Sequence, residues 1–91
     1  MTNYLSDHFT LEEMTASETA RKMHIDNTPP DFAIKNLKIL CTQILEPARR
    51  RFGHPLTITS GYRCMKLNRI VGGQPNSYHL KGMAADIRIS D

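Results

Sequence analysis

The sequence has no tryptophan, and aromatic residues make up only 7% of its 91 residues. Its two cysteines, Cys41 and Cys64, are too few for a disulfide framework and lack the spacing of a metal-binding pair. There is no run of 18 apolar residues, so the sequence predicts no transmembrane helix and no membrane partner. Asp7, Glu12 and Glu13 interrupt the region where a signal peptide would need its apolar run, which predicts a protein that is cytoplasmic as synthesised.

The charge is only mildly basic, since 12 Lys and Arg against 9 Asp and Glu give a formal net charge of +3. Residues 1–30 carry five acidic and two basic side chains, a balance of −3, whereas residues 31–91 carry ten basic and four acidic ones, a balance of +6. This basic part suits an anionic partner, although a solvated surface is the simpler explanation for any single Lys or Arg. No aromatic platform is interleaved with the charges, so the sequence argues against a nucleic-acid partner.

Residues 1–30 are predicted to form a helical N-terminal segment. Thr10 followed by Glu13 has the form of a capping box, and Ser17 is a typical cap, so two short helices are expected here. The run Asp26–Pro30 combines turn formers with two prolines and predicts the break that ends the segment.

Residues 31–53 predict the core helix. Its apolar residues recur at spacings of three and four and define one amphipathic face: Ala33, Leu37, Leu40, Cys41, Ile44, Leu45, Ala48 and Phe52. Pro47 predicts a kink or a restart within the helix, because proline removes a helical hydrogen bond. The arginines at 49–51 suit the negative end of the helix dipole, and Gly53 ends the helix.

Residues 54–91 predict a strand, a loop that carries the candidate site, and a second strand. Alternation predicts strands at Leu56–Thr59 and Met83–Ile89. In the second strand, alternation places the apolar residues Ala85, Ile87 and Ile89 on one face of the strand. It places the charged residues Asp86 and Arg88 on the opposite face. Helices followed by strands predict a single α+β domain over residues 1–91, with N-terminal helices packed on a small antiparallel sheet.

His79 and Asp86 are the candidate pair for chemistry. Two zinc ligands approach within roughly 3–4 Å of each other, whereas residues seven apart are separated by about 10 Å on a helix and by more than about 20 Å on a strand. The pair therefore shares a metal only if the chain reverses between them, and Gly82 is the residue type that such a turn needs. The same residues also fit a surface histidine and an ordinary salt bridge of the aspartate with Arg63 or Arg88. The other histidines have no partner at a recognisable spacing and are predicted to lie on the surface: His8, His24 and His54.

Three ordered motif blocks carry a resemblance to a known family. They are Ser60-Gly61-Tyr62-Arg63, then Leu67-Asn68 with Val71-Gly72-Gly73, then Ser77-x-His79-x-x-Gly82-x-Ala84-x-Asp86-Ile87. With them the chain resembles the zinc peptidases of the D-alanyl-D-alanine carboxypeptidase type (peptidase family M15, subfamily A), which include carboxypeptidases, dipeptidases and phage endolysins. The runs Phe9–Met14 and Asp26–Pro30 resemble the N-terminal part of small phage- or prophage-type members. The resemblance implies a fold similar to the hedgehog and DD-peptidase domains.

The resemblance also implies roles for individual residues. His79 and Asp86 match two zinc ligands of such enzymes, which implies one zinc ion here. Arg63 matches an arginine that assists catalysis, and its guanidinium suits a scissile carbonyl that gains negative charge. Ser77 matches a serine near the substrate, whereas Tyr62 is expected to be a packing residue. The implied substrate is a D-Ala-D-Ala-type peptide bond in the stem peptide of peptidoglycan, reached once the protein is released to the cell wall.

One part of the family pattern has no counterpart in the sequence. Family members carry a third zinc ligand, a histidine, well downstream of the aspartate, and a Glu or Asp shortly before it is the general base. The chain ends at Asp91, so we expect a truncated domain that lacks the C-terminal part of the fold and is inactive as written. We also expect an exposed strand edge that favours self-association. The alternative function is a non-catalytic cell-wall-binding or structural module of a phage or prophage protein.

Overall fold

The computed structural model describes residues 3–89, in which short helices surround a two-stranded antiparallel sheet. In chain order the elements are α1 (Leu11–Thr15), α2 (Glu18–Lys22), α3 (Asp31–Leu40), a π-helical turn (Cys41–Leu45), α4 (Glu46–Phe52), β1 (Leu56–Ser60), α5 (Met65–Ile70), a 3₁₀ turn (Tyr78–Lys81) and β2 (Asp86–Ile89). The α+β class predicted from the sequence is confirmed. None of the helices within residues 3–89 has the length and apolarity needed to span a bilayer.

The two N-terminal helices begin at the caps that the sequence predicts. Thr10 Oγ1 accepts a hydrogen bond from the Glu13 N–H at 3.1 Å, and the Glu13 carboxylate accepts one from the Thr10 N–H at 3.0 Å. Ser17 Oγ accepts from the Ala20 N–H at 3.1 Å. Such caps satisfy N–H groups that the first helical turn leaves unpaired, which helps helices of five residues to form.

The predicted core helix contains a π-helical turn at Cys41–Leu45, which ends two residues before Pro47. The Glu46 N–H donates to the Cys41 carbonyl, five residues back. Proline has no N–H for the carbonyl four residues before it, and a π turn accommodates this loss without ending the helix. The predicted interruption at Pro47 is confirmed, and its form is a π turn.

The buried face of this helix differs from the predicted face at two positions. The buried residues recur at a constant spacing of four, with two partly buried neighbours: Ala33, Leu37, Cys41 and Leu45, then Leu40 and Ala48. Ile44 and Phe52 were predicted on the same face but are 58% and 50% exposed. A spacing of four exceeds the 3.6 residues of an α-helical turn, so the wider π turn keeps the stripe aligned and rotates Ile44 outward. Phe52 is the last residue of α4 and lies beyond the core contacts.

β1 and β2 pair antiparallel, with a bulge beside the candidate site. The regular pairs are Leu56 with Ile89, Thr57 with Arg88 and Ile58 with Ile87. Ser60 then lies opposite Asp86, so Thr59 is the extra residue. Thr59 Oγ1 donates to the Asp86 carbonyl at 3.1 Å. The predicted strand start at Met83 is wrong, because the Met83 N–H donates to the Tyr78 carbonyl and closes the 3₁₀ turn instead.

The core packs α1 and α3 against the start of β1 and the segment that follows this strand. Its buried members are Leu5, Phe9, Met14, Ala33, Leu37, Cys41, Leu45, Leu56 and Tyr62. Cys41 and Tyr62 are therefore packing residues, as predicted. Ile87 and Ile89 of β2 are 38% and 40% exposed, so the core covers β2 less completely than β1.

α4 begins with a buried carboxylate, Glu46, which is 7% exposed. Its Oε2 accepts hydrogen bonds from Ser6 Oγ and the His8 N–H, both at 2.6 Å, and its Oε1 lies 2.7 Å from His8 Nδ1. Burial by itself raises the pKa of Glu46, but these hydrogen bonds outweigh it and hold that pKa below its ordinary value. His8, His24 and His54 are all exposed, as predicted. The contacts of Ser6 and His8 with Glu46 bring the N-terminal chain against α4.

Candidate metal centre

His79 lies on the 3₁₀ turn, and its ring is held in one orientation. Ser77 Oγ caps the turn by accepting a hydrogen bond from the His79 N–H at 3.1 Å. The ring Nδ1 lies 2.7 Å from the Gly61 carbonyl oxygen. A carbonyl only accepts, so in the neutral ring Nδ1 carries the proton and Nε2 keeps its lone pair. Metal-binding histidines commonly have their second N–H held by a backbone carbonyl in this way.

Asp86 faces His79 across a reversal of the chain. Its Oδ2 lies 3.6 Å from His79 Nε2, and Gly82 between them has a φ of +73°, a left-handed conformation that glycine adopts readily. The predicted reversal at Gly82 is confirmed. Ligands about 2.0–2.2 Å from a tetrahedral zinc ion lie about 3.4 Å from each other, so the observed separation suits a shared ion and is too long for a direct hydrogen bond. Within residues 3–89, Asp86 forms no salt bridge with Arg63 or Arg88.

The end of β1 sets the spacing of these two groups. Ser60 is the pairing partner of Asp86 at the bulge, and the next residue, Gly61, accepts the ring N–H of His79. Gly61 has no room for a side chain, because a Cβ there would overlap the Met14 carbonyl of α1. Two successive residues, the last of β1 and the one that follows it, are backed by α1 and hold both candidate ligands.

Arg63 lies beside His79 and lines the same cavity. The Arg63 N–H donates to the His79 carbonyl at 3.1 Å. The cavity is open, has a volume of about 560 Å³, and is lined by Arg63, Gln74, Asn76, Ser77, Tyr78, His79, Lys81 and Ala84. The Nε of Arg63 is buried and has no hydrogen-bond partner within residues 3–89, so it is an unpaired donor in a residue that lines the cavity. Lys81 also lines the cavity, and its Nζ lies 5.7 Å from the centre of the Tyr78 ring. Arg63 and Lys81 are therefore two cationic side chains at the border of the cavity.

The structure brings together the residues singled out in the sequence. Arg63, Ser77 and His79 line one cavity, and Asp86 meets His79 from the start of β2. No group of three His, Cys, Asp or Glu side chains that could hold a metal occurs in the part of the chain from residue 3 to residue 89. The imidazole and carboxylate fit zinc in donor type and in separation, and they form a two-donor set.

Two contributors to this geometry were not identified from the sequence. The Gly61 carbonyl orients His79, and the Thr59 hydroxyl holds the main chain of Asp86. Both act through contacts across the fold, which no spacing along the chain reveals. Ser77 has a structural part that the sequence did not predict, because its oxygen caps the 3₁₀ turn.

Comparison with known proteins gives a match at the level of a family. The family described as Peptidase M15 matches residues 7–91. The matched range includes the N-terminal helices, Arg63 and both candidate ligands. No curated protein and no solved structure matches the chain.

Proposed function

The chain belongs to the peptidase M15 family, and on that premise we propose that it provides two zinc ligands and a catalytic arginine to a peptidase of the bacterial cell wall. Peptidases of this family are generally zinc-dependent. The observation that carries the proposal is the 3.6 Å separation of His79 Nε2 and Asp86 Oδ2. The proposed substrate is a D-Ala-D-Ala-type peptide bond in the stem peptide of peptidoglycan.

Each residue of the site has a chemical task in this proposal. His79 and Asp86 hold the metal, and in the neutral ring the Gly61 carbonyl accepts the Nδ1 proton and so leaves the Nε2 lone pair for the metal. Zinc, when bound, supplies a Lewis acid that polarises the scissile carbonyl. Arg63 donates hydrogen bonds to the same carbonyl oxygen as it gains negative charge. Ser77 accepts from the His79 N–H, so its own hydroxyl proton is free to donate to the substrate.

The charges around the cavity fit an anionic substrate. Arg63 and Lys81 border it, and residues 31–91 carry a net charge of +6, from ten basic and four acidic side chains. A stem peptide carries carboxylates, so a cationic cavity raises its local concentration.

The two-donor set limits what the 91-residue chain does alone. A catalytic zinc site uses three protein ligands and one open position. Residues 3–89 place two donors together, and the resemblance implies that a further histidine and an acidic general base complete the site in active members. We therefore expect the 91-residue chain to bind zinc weakly and to hydrolyse the substrate very slowly.

Zinc binding by single variants tests the ligand assignment. Equilibrium dialysis against zinc, with no competing chelator, should show one weakly bound zinc ion per wild-type chain. His79→Ala and Asp86→Asn should remove most of this binding, because each deletes one donor of the pair. His54→Ala is the matched control, since His54 is exposed and distant in sequence, and it should bind zinc as the wild type does. Undiminished zinc binding by His79→Ala would contradict the assignment.

Hydrolysis is tested on a peptide that ends in D-Ala-D-Ala and on purified peptidoglycan, both with added zinc. The 91-residue chain is compared with a version extended by any coding sequence that follows residue 91. In an active form, Arg63→Ala should lower kcat/KM by about 10²–10³-fold, the typical effect of removing a donor to a developing oxyanion. Arg51→Ala, which alters an exposed arginine of α4, should leave it unchanged. Peptidoglycan binding without hydrolysis in every form would favour the non-catalytic wall-binding alternative.

A further inference from the structure

The side chain of Asn27 is bonded to the main chain on both sides of Arg63. Its Nδ2 donates to the Tyr62 carbonyl at 3.0 Å, and its Oδ1 accepts from the Cys64 N–H at 2.8 Å. Nδ2 also donates to the carbonyl of Thr15, the last residue of α1, at 2.9 Å. The Asn27 amide thus pairs with the chain around Arg63 in the way that a neighbouring strand would.

These contacts are specific for an asparagine amide. Nδ2 approaches two carbonyl oxygens, which only accept, and Oδ1 approaches an N–H, so a single orientation of the amide satisfies all three bonds. An aspartate would place a carboxylate oxygen against the two carbonyls. An aliphatic side chain would leave the Cys64 N–H without its acceptor. Shape alone therefore does not account for asparagine at this position.

The turn that carries Asn27 is itself held in place. Asp26 Oδ1 accepts hydrogen bonds from the Thr28 N–H at 3.0 Å and from the Thr28 hydroxyl at 2.6 Å. Pro29 is buried, and Pro30 caps the start of α3. The sequence predicts this run only as a break between helices, whereas the structure directs its asparagine inward to the candidate site.

The main chain of Arg63 is consequently fixed from two directions. Asn27 holds the peptide groups before and after it, and the His79 carbonyl accepts its own N–H at 3.1 Å. The Arg63 side chain has its Nε buried without a partner within residues 3–89. This Nε makes no hydrogen bond within the described residues that would orient the guanidinium, so the main chain held by Asn27 and His79 contributes to where the guanidinium enters the cavity.

We propose that Asn27 is a positioning residue for Arg63, which it holds so that the guanidinium lines the cavity where the scissile bond is expected. The catalytic consequence rests on the proposed function of Arg63, whereas the structural contact does not. The test therefore has one part that needs no activity and one part that does.

Amide hydrogen exchange and arginine modification test the contact in the 91-residue chain. In Asn27→Ala, exchange at the Cys64 amide should rise by about tenfold or more, because its acceptor is removed. The rate at which phenylglyoxal modifies Arg63 should also change several-fold. Asn27→Asp keeps an acceptor for the Cys64 N–H, so protection of that amide should persist while the modification rate of Arg63 still changes.

Asn36→Ala is the matched control. The Asn36 Nδ2 donates to the Lys81 carbonyl at 2.9 Å, and this bond does not involve residues 62–64. This variant should leave Cys64 exchange and Arg63 modification at the wild-type rates. Unchanged rates in Asn27→Ala would overturn the proposal. A uniform rise in exchange throughout α3 in both Asn27 variants would also overturn it, because Asn27 would then be a general stabilising residue.

A double-mutant cycle tests the catalytic consequence in the form that hydrolyses the peptide. Asn27→Asp should lower kcat by about 10–100-fold, as a small misplacement of a catalytic group does, with KM little changed. In the Arg63→Ala background the same substitution should have no further effect. Additive losses would overturn the proposal. If no form hydrolyses the peptide, the proposed function fails, and the exchange and modification rates still decide whether Asn27 positions Arg63.

Discussion

Gly82→Ala perturbs the reversal that brings His79 and Asp86 together, and two separate costs add. The φ of Gly82 is +73°, and a left-handed conformation costs an alanine roughly 1–2 kcal/mol. The new Cβ would also lie 2.5 Å from the Ala33 carbonyl oxygen and 3.1 Å from Leu37 Cγ. Ala33 and Leu37 belong to the buried face of α3, so relief of this overlap adds about 1–3 kcal/mol. The expected loss in the free energy of unfolding is about 2–5 kcal/mol.

Gly72 and Gly53 provide matched controls for the first cost. Their φ values are +80° and +69°, and a Cβ at either position has nothing within 4 Å. Gly72→Ala and Gly53→Ala should therefore each cost only roughly 1–2 kcal/mol, the conformational part. The loss in the free energy of unfolding for Gly82→Ala, minus the loss for either control, measures the cost of the contact between the turn and α3.

Urea and thermal unfolding followed by circular dichroism measure these losses. For a domain of this size each kcal/mol lost lowers Tm by roughly 4–8 °C. The cost of the overlap with α3 is therefore readily resolved. Zinc binding by the fraction that remains folded should also weaken, since the turn cannot move without changing the separation of the two ligands. A Gly82→Ala variant as stable as Gly72→Ala would refute the reasoning, because α3 would then not confine the turn.

Two further predictions concern buried titratable groups. The folded pKa of Glu46 lies below its ordinary value of 4.5, so its stabilising effect should be complete above that pH and be lost as the pH falls through the folded pKa. Urea unfolding between about pH 3 and pH 7 should show this loss in the wild type and a weaker one in Glu46→Gln. At pH 7, Glu46→Ala should cost about 2 kcal/mol, because the Ser6 hydroxyl and the His8 N–H lose their acceptor. The exposed control Glu18→Ala should cost less than about 0.5 kcal/mol. Burial raises the pKa of Cys41 to about 12, so iodoacetamide at a mildly alkaline pH should label Cys41 only in urea. Labelling of Cys41 in the folded chain, distinguished from labelling of the half-buried Cys64 by peptide mass spectrometry, would contradict this.

The features that the sequence predicted are those set by neighbouring residues. The caps at Thr10 and Ser17 involve groups three residues apart, and the interruption at Pro47 follows from the missing N–H of that residue. The reversal at Gly82 follows from the residue type, because few other residues adopt its conformation. The closeness of His79 and Asp86 was expected from the motif block that carries the resemblance, with Gly82 permitting the turn between them, whereas their role as zinc ligands stays a prediction.

The features that the sequence did not predict depend on contacts between distant parts of the chain. Ile44 faces outward because the π turn changes the helical phase, and periodicity assumes a constant phase. The partners of Glu46 are Ser6 and His8, about forty residues away along the chain. Met83 lies outside β2 because its N–H is taken by the 3₁₀ turn, which a pattern of alternating residues cannot show.

The contacts that hold the candidate site come largely from outside the motif blocks. The Met14 carbonyl of α1 closes the space beside Gly61, Asn27 holds the chain around Arg63, and Ala33 of α3 confines Gly82. The blocks therefore carry the groups that would do the chemistry, while residues 1–53 pack against the blocks and help to fix the distances between those groups. It follows that a peptide of residues 60–86 alone would keep every proposed catalytic and ligand residue and still lack the 3.6 Å separation on which a shared zinc ion depends.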